Sequence, residues 1–335
     1  MESTLSADAS PVEASVSAAP GVVVAVVVDQ PTMALEEVFG ALGAQDYPNI
    51  QVLVLLTGSD ADELEVVRQI VQSTVPTAHI RQLGADVGFG VAANTALRLV
   101  EGDSGFFLIM HDDVVMAPDA LRILVEELYR SNAGMVGPKF VEWDDSRRLQ
   151  AVGFDCDWFG ELDSAVEPHE LDQEQHDAVR DVFVLSSACV LVRADLFREL
   201  DGFEASIEFF GEDLDLCWRA HLSGARVVVV PAATARHRAS IVERLASRRS
   251  DSATLMRQAE RHRMATVVSL TGRRRLPIVL PSLVVLTFVQ VLGEIVRGRW
   301  QRASAGLSGL FGLLTNIGAI ARRRSRVRQL RRVPD

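Results

Sequence analysis

From Gly21 onward, short apolar runs alternate with stretches whose apolar residues recur every three or four positions. The runs VVVAVVV (22–28), IQVLVLL (50–56), AHIRQL (78–83) and GFFLIM (105–110) predict strands, continuous enough for a sheet covered on both faces. Helical spacing between them predicts helices near 34–44, 61–72 and 90–100. Strand and helix in strict alternation imply an α/β fold with a mostly parallel sheet. A helix near 118–130, a strand at 134–140, an irregular acidic stretch over 142–180 and a strand over 182–193 follow. Leu214, Cys217, Trp218 and His221 again fall at helical spacing, and ARVVVVP (225–231) predicts a late strand.

Both ends depart from this pattern. Residues 1–20 are rich in Ala, Ser and Pro without periodicity, the composition of a solvated, disordered arm, and show neither the basic nor the apolar region of a signal peptide. The folded body, 21–240, is therefore expected on the cytosolic side. A connection over 241–275 leads to two uncharged segments, 276–293 and 303–321, read as membrane-associated helices before a basic tail at 322–335. Gly306, Gly309 and Gly312 would let a neighbouring helix approach closely. Pro277, Pro281, Glu294 and the intervening Arg297, Arg299 and Arg302 leave three arrangements open: two spans, one span with an interfacial or re-entrant helix, or a buried soluble pair.

Charge sharpens this division. The chain carries 34 basic and 45 acidic residues, but 13 arginines and only two acidic residues lie beyond position 271. An acidic body with an arginine-rich end argues against a nucleic-acid partner and for contact with anionic membrane lipid. Cys156, Cys189 and Cys217 are widely spaced, with no CxxC pair, and read as free thiols.

Three clusters carry candidate chemistry. FFLIM ends abruptly in His111-Asp112-Asp113, and in a parallel sheet ligands bind beyond the carboxyl ends of the strands. Adjacent carboxylates there suit a divalent cation, Mg2+ or Mn2+, or else a solvated turn. GADVGFGVAAN (84–94) sets Gly88 and Gly90 at a helix start that bears Asn94, where backbone can approach a phosphate or sugar, as an ordinary turn also would. GEDLDLCWRAH (211–221) places Glu212 and Asp213 in a first helical turn, favoured by the helix dipole or serving as a general base with its partner. His237 follows the late strand as a metal or phosphate contact, or as a lone exposed histidine.

The order of these motifs, with VGPKF, SSACVLVRADLFRELDGF and a final ARH, resembles the family 2 inverting glycosyltransferases of the GT-A fold over residues 21–240. A membrane segment after the domain is similar to actinobacterial members that build cell-envelope polysaccharide. The resemblance implies a metal site at Asp113, with His111 where a first aspartate often stands, Asp112 as the middle, cofactor-binding residue of the motif, and His237 as a late metal contact. It implies Asp213 as catalytic base with Glu212 as its partner. It also implies an aspartate at the end of strand two to read the nucleobase, where this chain has Leu56-Thr57, with Asp60 or Asp62 as substitutes.

The expected function is metal-dependent transfer of a sugar from a nucleotide-sugar donor to a glycan or lipid-linked acceptor at the cytoplasmic face of the plasma membrane. The alternative is a catalytically silent scaffold or glycan-binding subunit of GT-A shape. A sugar-nucleotide pyrophosphorylase would need a glycine-rich basic loop after strand one, and VVVDQPTMAL offers none.

Overall fold

The computed structural model describes residues 19–29, 32–58, 61–84, 87–99, 105–238 and 252–333. Strand β1 (Val22–Val28) is followed by α1 (Leu35–Gly43), β2 (Ile50–Leu56), α2 (Ala61–Thr74), β3 (His79–Gln82), α3 (Phe89–Ala93), α4 (Thr95–Leu99) and β4 (Phe106–His111). Next come β5 (Val114–Met116), α5 (Ala120–Arg130), β6 (Met135–Glu142), β7 (Leu149–Ala151) and the two-residue strands β8 (Asp155–Cys156), β9 (Leu162–Asp163) and β10 (Arg180–Asp181). The body closes with β11 (Cys189–Arg193), α6 (Ala194–Glu199), α7 (Glu212–Leu222) and β12 (Val227–His237).

Ten strands form one sheet whose main order is β10-β12-β6-β11-β4-β1-β2-β3. β4, β1, β2 and β3 run parallel, as do β6 and β12, while β11 lies antiparallel between β4 and β6. The period-two alternation of β1 divides the core. Val22, Val24, Val26 and Val28 face α1, α2 and α5, whereas Val23, Ala25 and Val27 face α3, α4, α6 and α7. Leu35, Val38, Phe39 and Leu42 make one buried stripe of α1, the spacing that made that helix legible.

Two expected elements differ. The strand expected over 182–193 begins only at Cys189, because a turn at Ser186 intervenes: Ala188 N–H donates to Ser186 Oγ at 3.2 Å and Cys189 N–H to Ser186 O at 3.4 Å. The helix expected over 90–100 is broken at Asn94 into α3 and α4. The irregular stretch is tied to the sheet by Lys139 of β6, whose Nζ meets Asp172 and Asp177, each at 2.7 Å. Burial alone would lower the pKa of that amine, but the two carboxylates outweigh it and the net shift is upward.

Four helices follow: α8 (Ser252–Leu270), α9 (Leu276–Val296), α10 (Trp300–Thr315) and α11 (Ile317–Leu330). Among the described residues, α9 is the one helix that is by itself long and apolar enough to cross a membrane, and α10 and α11 meet at a 76° bend. α10 packs along α8 as the small residues predict: a Cβ on Gly309 would lie 2.6 Å from Met264 Sδ, and one on Gly306 2.9 Å from Val291 of α9.

The arginine-rich end is not a loose tail. Arg323 is buried and pairs with Asp215 of α7, itself fully buried and held from the other side by Arg219 Nε at 2.8 Å. Burial pushes the Asp215 carboxyl up, but Arg219 and Arg323 outweigh it and hold it below the usual carboxylate range. Arg326 reaches Glu204 at 3.0 Å and Arg332 reaches Glu199. This segment is thus strapped to the helix whose first residues are Glu212 and Asp213.

Candidate active site

β4 delivers His111 to the carboxyl edge of the sheet, and its N–H donates to Ala188 O at 2.9 Å. The chain turns through Asp112 and Asp113, both buried, into β5. β12 passes Pro231 with a register shift between Val230 and Thr234, then pairs antiparallel with β5, setting His237 opposite Val114. Arg238 N–H donates to Asp113 O at 3.1 Å, closing the same corner. Residues remote in sequence meet because β12 borders both β6 and β5.

One ligand atom from each of His111, Asp113 and His237 lies within 4.8 Å of the others. His237 Nε2 is 3.6 Å and His111 Nδ1 3.9 Å from Asp113 Oδ1. Gln150 of β7 orients His237: Nδ1–H donates to Gln150 Oε1 at 2.8 Å, while Gln150 Nε2 donates to His237 O at 3.1 Å. That bond fixes the proton on Nδ1 and turns the Nε2 lone pair toward Asp113. Phe89 packs edge-on to His111 with ring centroids 4.4 Å apart, and Phe140 lies 5.4 Å from the His237 ring. Two imidazoles and a carboxylate converging in an aromatic-walled corner fit a divalent cation.

The carboxylate pair sits at the start of α7, entered through Gly211 at φ 95°, a left-handed conformation that glycine adopts without strain. Ser187 Oγ donates to Glu212 Oε1 at 3.2 Å, and Asp213 Oδ1 accepts from Leu214 N–H at 2.8 Å. Burial, then the neighbouring Asp213, pushes the Glu212 carboxyl up to about 7. Burial likewise raises Asp213. Ser187 touches this pair and the next residue, Ala188, bonds His111, so one dipeptide joins the two halves of the site. His262 of α8 holds the approach to the pair, donating from Nδ1 to Phe209 O at 2.8 Å and Phe210 O at 3.2 Å.

Gly88, Gly90 and Asn94, expected beside the donor, dock another loop. Asn94 Oδ1 accepts from Phe203 N–H and Asn94 Nδ2 donates to Phe203 O, both at 2.8 Å, which spends the amide on backbone. A Cβ on Gly88 would lie 2.4 Å from Glu208 O, and one on Gly90 2.8 Å from Phe203 Cβ. The link from this motif to the site is Phe89. At the end of β2, Thr57 Oγ1 donates to Asp29 Oδ1 at 3.4 Å, so the carboxylate here comes from the end of β1. Asp62 is exposed in the first turn of α2, and Asp60 lies outside the described residues.

Sequence reasoning did not single out Gln150, Ser187, His262 or Asp29. Neutral Gln150 carries no local signal, and Ser187 lies inside the run read as a strand over 182–193. Burial pushes the Cys156, Cys189 and Cys217 thiols up to about 12, which disfavours the thiolate form.

Comparison with known proteins gives the same frame. A family described as "Glycosyltransferase like family 2" matches residues 19–265. An N-acetylglucosaminyl-diphospho-decaprenol L-rhamnosyltransferase of Mycobacterium tuberculosis is 28% identical over 181 residues, 48% of this chain and 59% of that protein. A pre-mycofactocin glycosyltransferase of the same species is 27% identical over 154 residues, 45% of this chain and 30% of that protein. The O-antigen biosynthesis protein RfbC of Myxococcus xanthus is 27% identical over 231 residues, 67% of this chain and 17% of that protein. The chain thus spans less than two thirds of each relative's length. A crystal structure of GalNAc-T7 with UDP, GalNAc and Mn2+ superposes with a TM-score of 0.52 over 75% of this chain and 50% of that one, at 10% identity, a likeness of fold alone. With its whole GT-A-like sheet and the carboxylate pair inside the matched residues, the chain belongs to glycosyltransferase-like family 2.

Proposed function

We propose that this chain is a metal-dependent inverting glycosyltransferase that moves a sugar from a nucleotide-diphosphate donor to a glycan or lipid-linked acceptor. The observation that carries the reading is the Ser187-Ala188 junction, which sets a His-Asp-His cluster beside two carboxylates of raised pKa at the carboxyl edge of the sheet. His111, Asp113 and His237 would hold Mn2+, which supplies positive charge for the leaving diphosphate when bound. Asp213 takes the proton of the acceptor hydroxyl as that oxygen bonds the anomeric carbon and the bond to the diphosphate breaks on the opposite face. One displacement inverts the anomeric centre. Burial raises both carboxyls, which makes Asp213 a stronger base than an ordinary surface aspartate, with Glu212 as its partner.

The relatives' names, which include a transferase acting on a decaprenyl-diphosphate sugar, support a lipid-linked acceptor and a role in cell-envelope polysaccharide synthesis. The apolar α9 supports membrane association, and the reading places the catalytic body at the cytoplasmic face of the plasma membrane. Asp29 beside Thr57 supports a base-reading contact from β1 in place of the absent acid on β2.

The test is Asp213→Asn in the full chain, assayed for donor turnover and for nucleotide binding with added Mn2+. Turnover should fall by roughly 100-fold or more while Mn2+-dependent UDP binding persists. Near-normal turnover would refute the base, and turnover or binding indifferent to Mn2+ would refute the metal.

A further inference from the structure

An open cavity of ≈ 490 Å³ lies between the α8–α9 turn and α11, away from the residues of the active site. Its walls include Arg273, Arg274 and Arg275 from the turn and Arg324, Arg328 and Arg331 from α11, and among the described residues no carboxylate lines it. Two of these side chains are anchored: Arg324 donates to Val268 O and Arg331 to Leu270 O, the last carbonyls of α8. A third, Arg275, stacks over Trp158 with its guanidinium 5.0 Å from the ring centroid. Six cations held around one cavity repel one another, and a bound anion relieves that repulsion. Arg275 is also the N-cap of α9, so the positive end of that helix dipole points the same way.

Position selects the anion's source. The cavity sits at the head of α9, whose outer face exposes Ile278, Val285, Phe288, Val289 and Leu292. A ligand here meets charge at one end and an apolar surface at the other. Thr271 and Arg275 also line a second cavity of ≈ 280 Å³, walled by Trp158, Phe183 and Trp218. Adjoining basic and aromatic cavities match an amphiphile with a phosphate head better than a free inorganic ion. The proposed function assigns the donor diphosphate to the His111, Asp113 and His237 corner, residues that line neither cavity.

We propose that this six-arginine cavity is a binding site for the phosphate or diphosphate headgroup of a membrane lipid. The proposal rests on the reading that α9 sits at a membrane, and the experiment separates the two. The full chain is floated with neutral phosphatidylcholine vesicles, with vesicles containing phosphatidate, and with the latter in the presence of inorganic pyrophosphate. Two triple variants are compared: Arg273→Gln with Arg274→Gln and Arg328→Gln, all exposed side chains, and Arg297→Gln with Arg299→Gln and Arg302→Gln at the far end of α9.

Phosphatidate should strengthen wild-type binding over neutral vesicles, and pyrophosphate should compete the gain away. The cavity variant should lose that gain, on the order of 100-fold at about fivefold per arginine, and keep its neutral-vesicle binding. The far-end variant should keep most of the gain. Equal loss in both variants would reduce the effect to diffuse surface charge and overturn the site. Pyrophosphate that thermally stabilises wild type but not the cavity variant, while vesicle binding is equal in both, would assign the cavity to a free anion and overturn the lipid. Flotation with neutral vesicles but no phosphatidate gain would sink the site and leave the membrane reading standing. No flotation with any vesicle would sink both.

Discussion

Removing the amide of Gln150 tests the metal corner at its support. Gln150→Ala deletes the acceptor 2.8 Å from His237 Nδ1 and the donor 3.1 Å from His237 O, and leaves His111, Asp113 and His237 in place. The imidazole is then no longer fixed in the tautomer that turns Nε2 toward Asp113, and reorienting it must be done out of the binding free energy. A single hydrogen bond contributes about 0.5–1.5 kcal/mol net, so losing the pair costs about 1–3 kcal/mol. Partners of metal-ligating histidines are commonly worth about 10–100-fold in affinity, or about 1.4–2.7 kcal/mol, which falls in the same range. Calorimetric titration of the full chain with Mn2+ should therefore give a Kd raised by about 10–100-fold. Gln150→Glu keeps an acceptor beside Nδ1 and adds charge that makes the ring a better ligand, so it should bind at least as tightly as wild type. An unchanged Kd in Gln150→Ala would refute the claim that this contact positions His237. Weak binding in both variants would show that the amide, rather than any acceptor, is what the corner needs.

Glu212, pushed up to about 7 by burial and by Asp213, holds its proton more tightly in the folded chain than in the unfolded one, where 4.5 is ordinary. The stability it contributes is therefore full below about 4.5 and lost as pH rises through about 7. Metal-free thermal unfolding should show this decline across that window, and Glu212→Gln should flatten it; an identical pH profile in the variant would place the shift elsewhere. Asn94→Ala removes both bonds to the Phe203 backbone and should destabilise the fold by about 2–3 kcal/mol in urea unfolding while Mn2+-dependent UDP affinity holds. Lost affinity at unchanged stability would return Asn94 to the donor site.

Much of the architecture was legible because its determinants are local. Apolar runs such as VVVAVVV have to be buried on both faces, and the i, i+3, i+4, i+7 stripe of α1 can be satisfied only by a helix lying on a core. Carboxylates cut into the end of an apolar strand, as at His111-Asp112-Asp113, mark the mouth of a parallel sheet for the same reason. By contrast, Gln150 and Ser187 are neutral residues whose roles exist only once β7, paired with β6, brings Gln150 to His237 of β12 and the turn before β11 meets α7, contacts that nothing in their own neighbourhood encodes. Asn94 read as a ligand contact because a helix-start asparagine after glycines looks alike in both roles, and the Phe203 backbone that claims its amide arrives from far along the chain. The arginine-rich end shows the same limit most plainly. Its composition predicts a tail for anionic surfaces, but buried Asp215 on α7 draws Arg323 inward, and a fully buried carboxylate is stable only with its cations in contact. Charge count is a property of sequence; which of those charges meet solvent and which meet a buried partner is decided by packing.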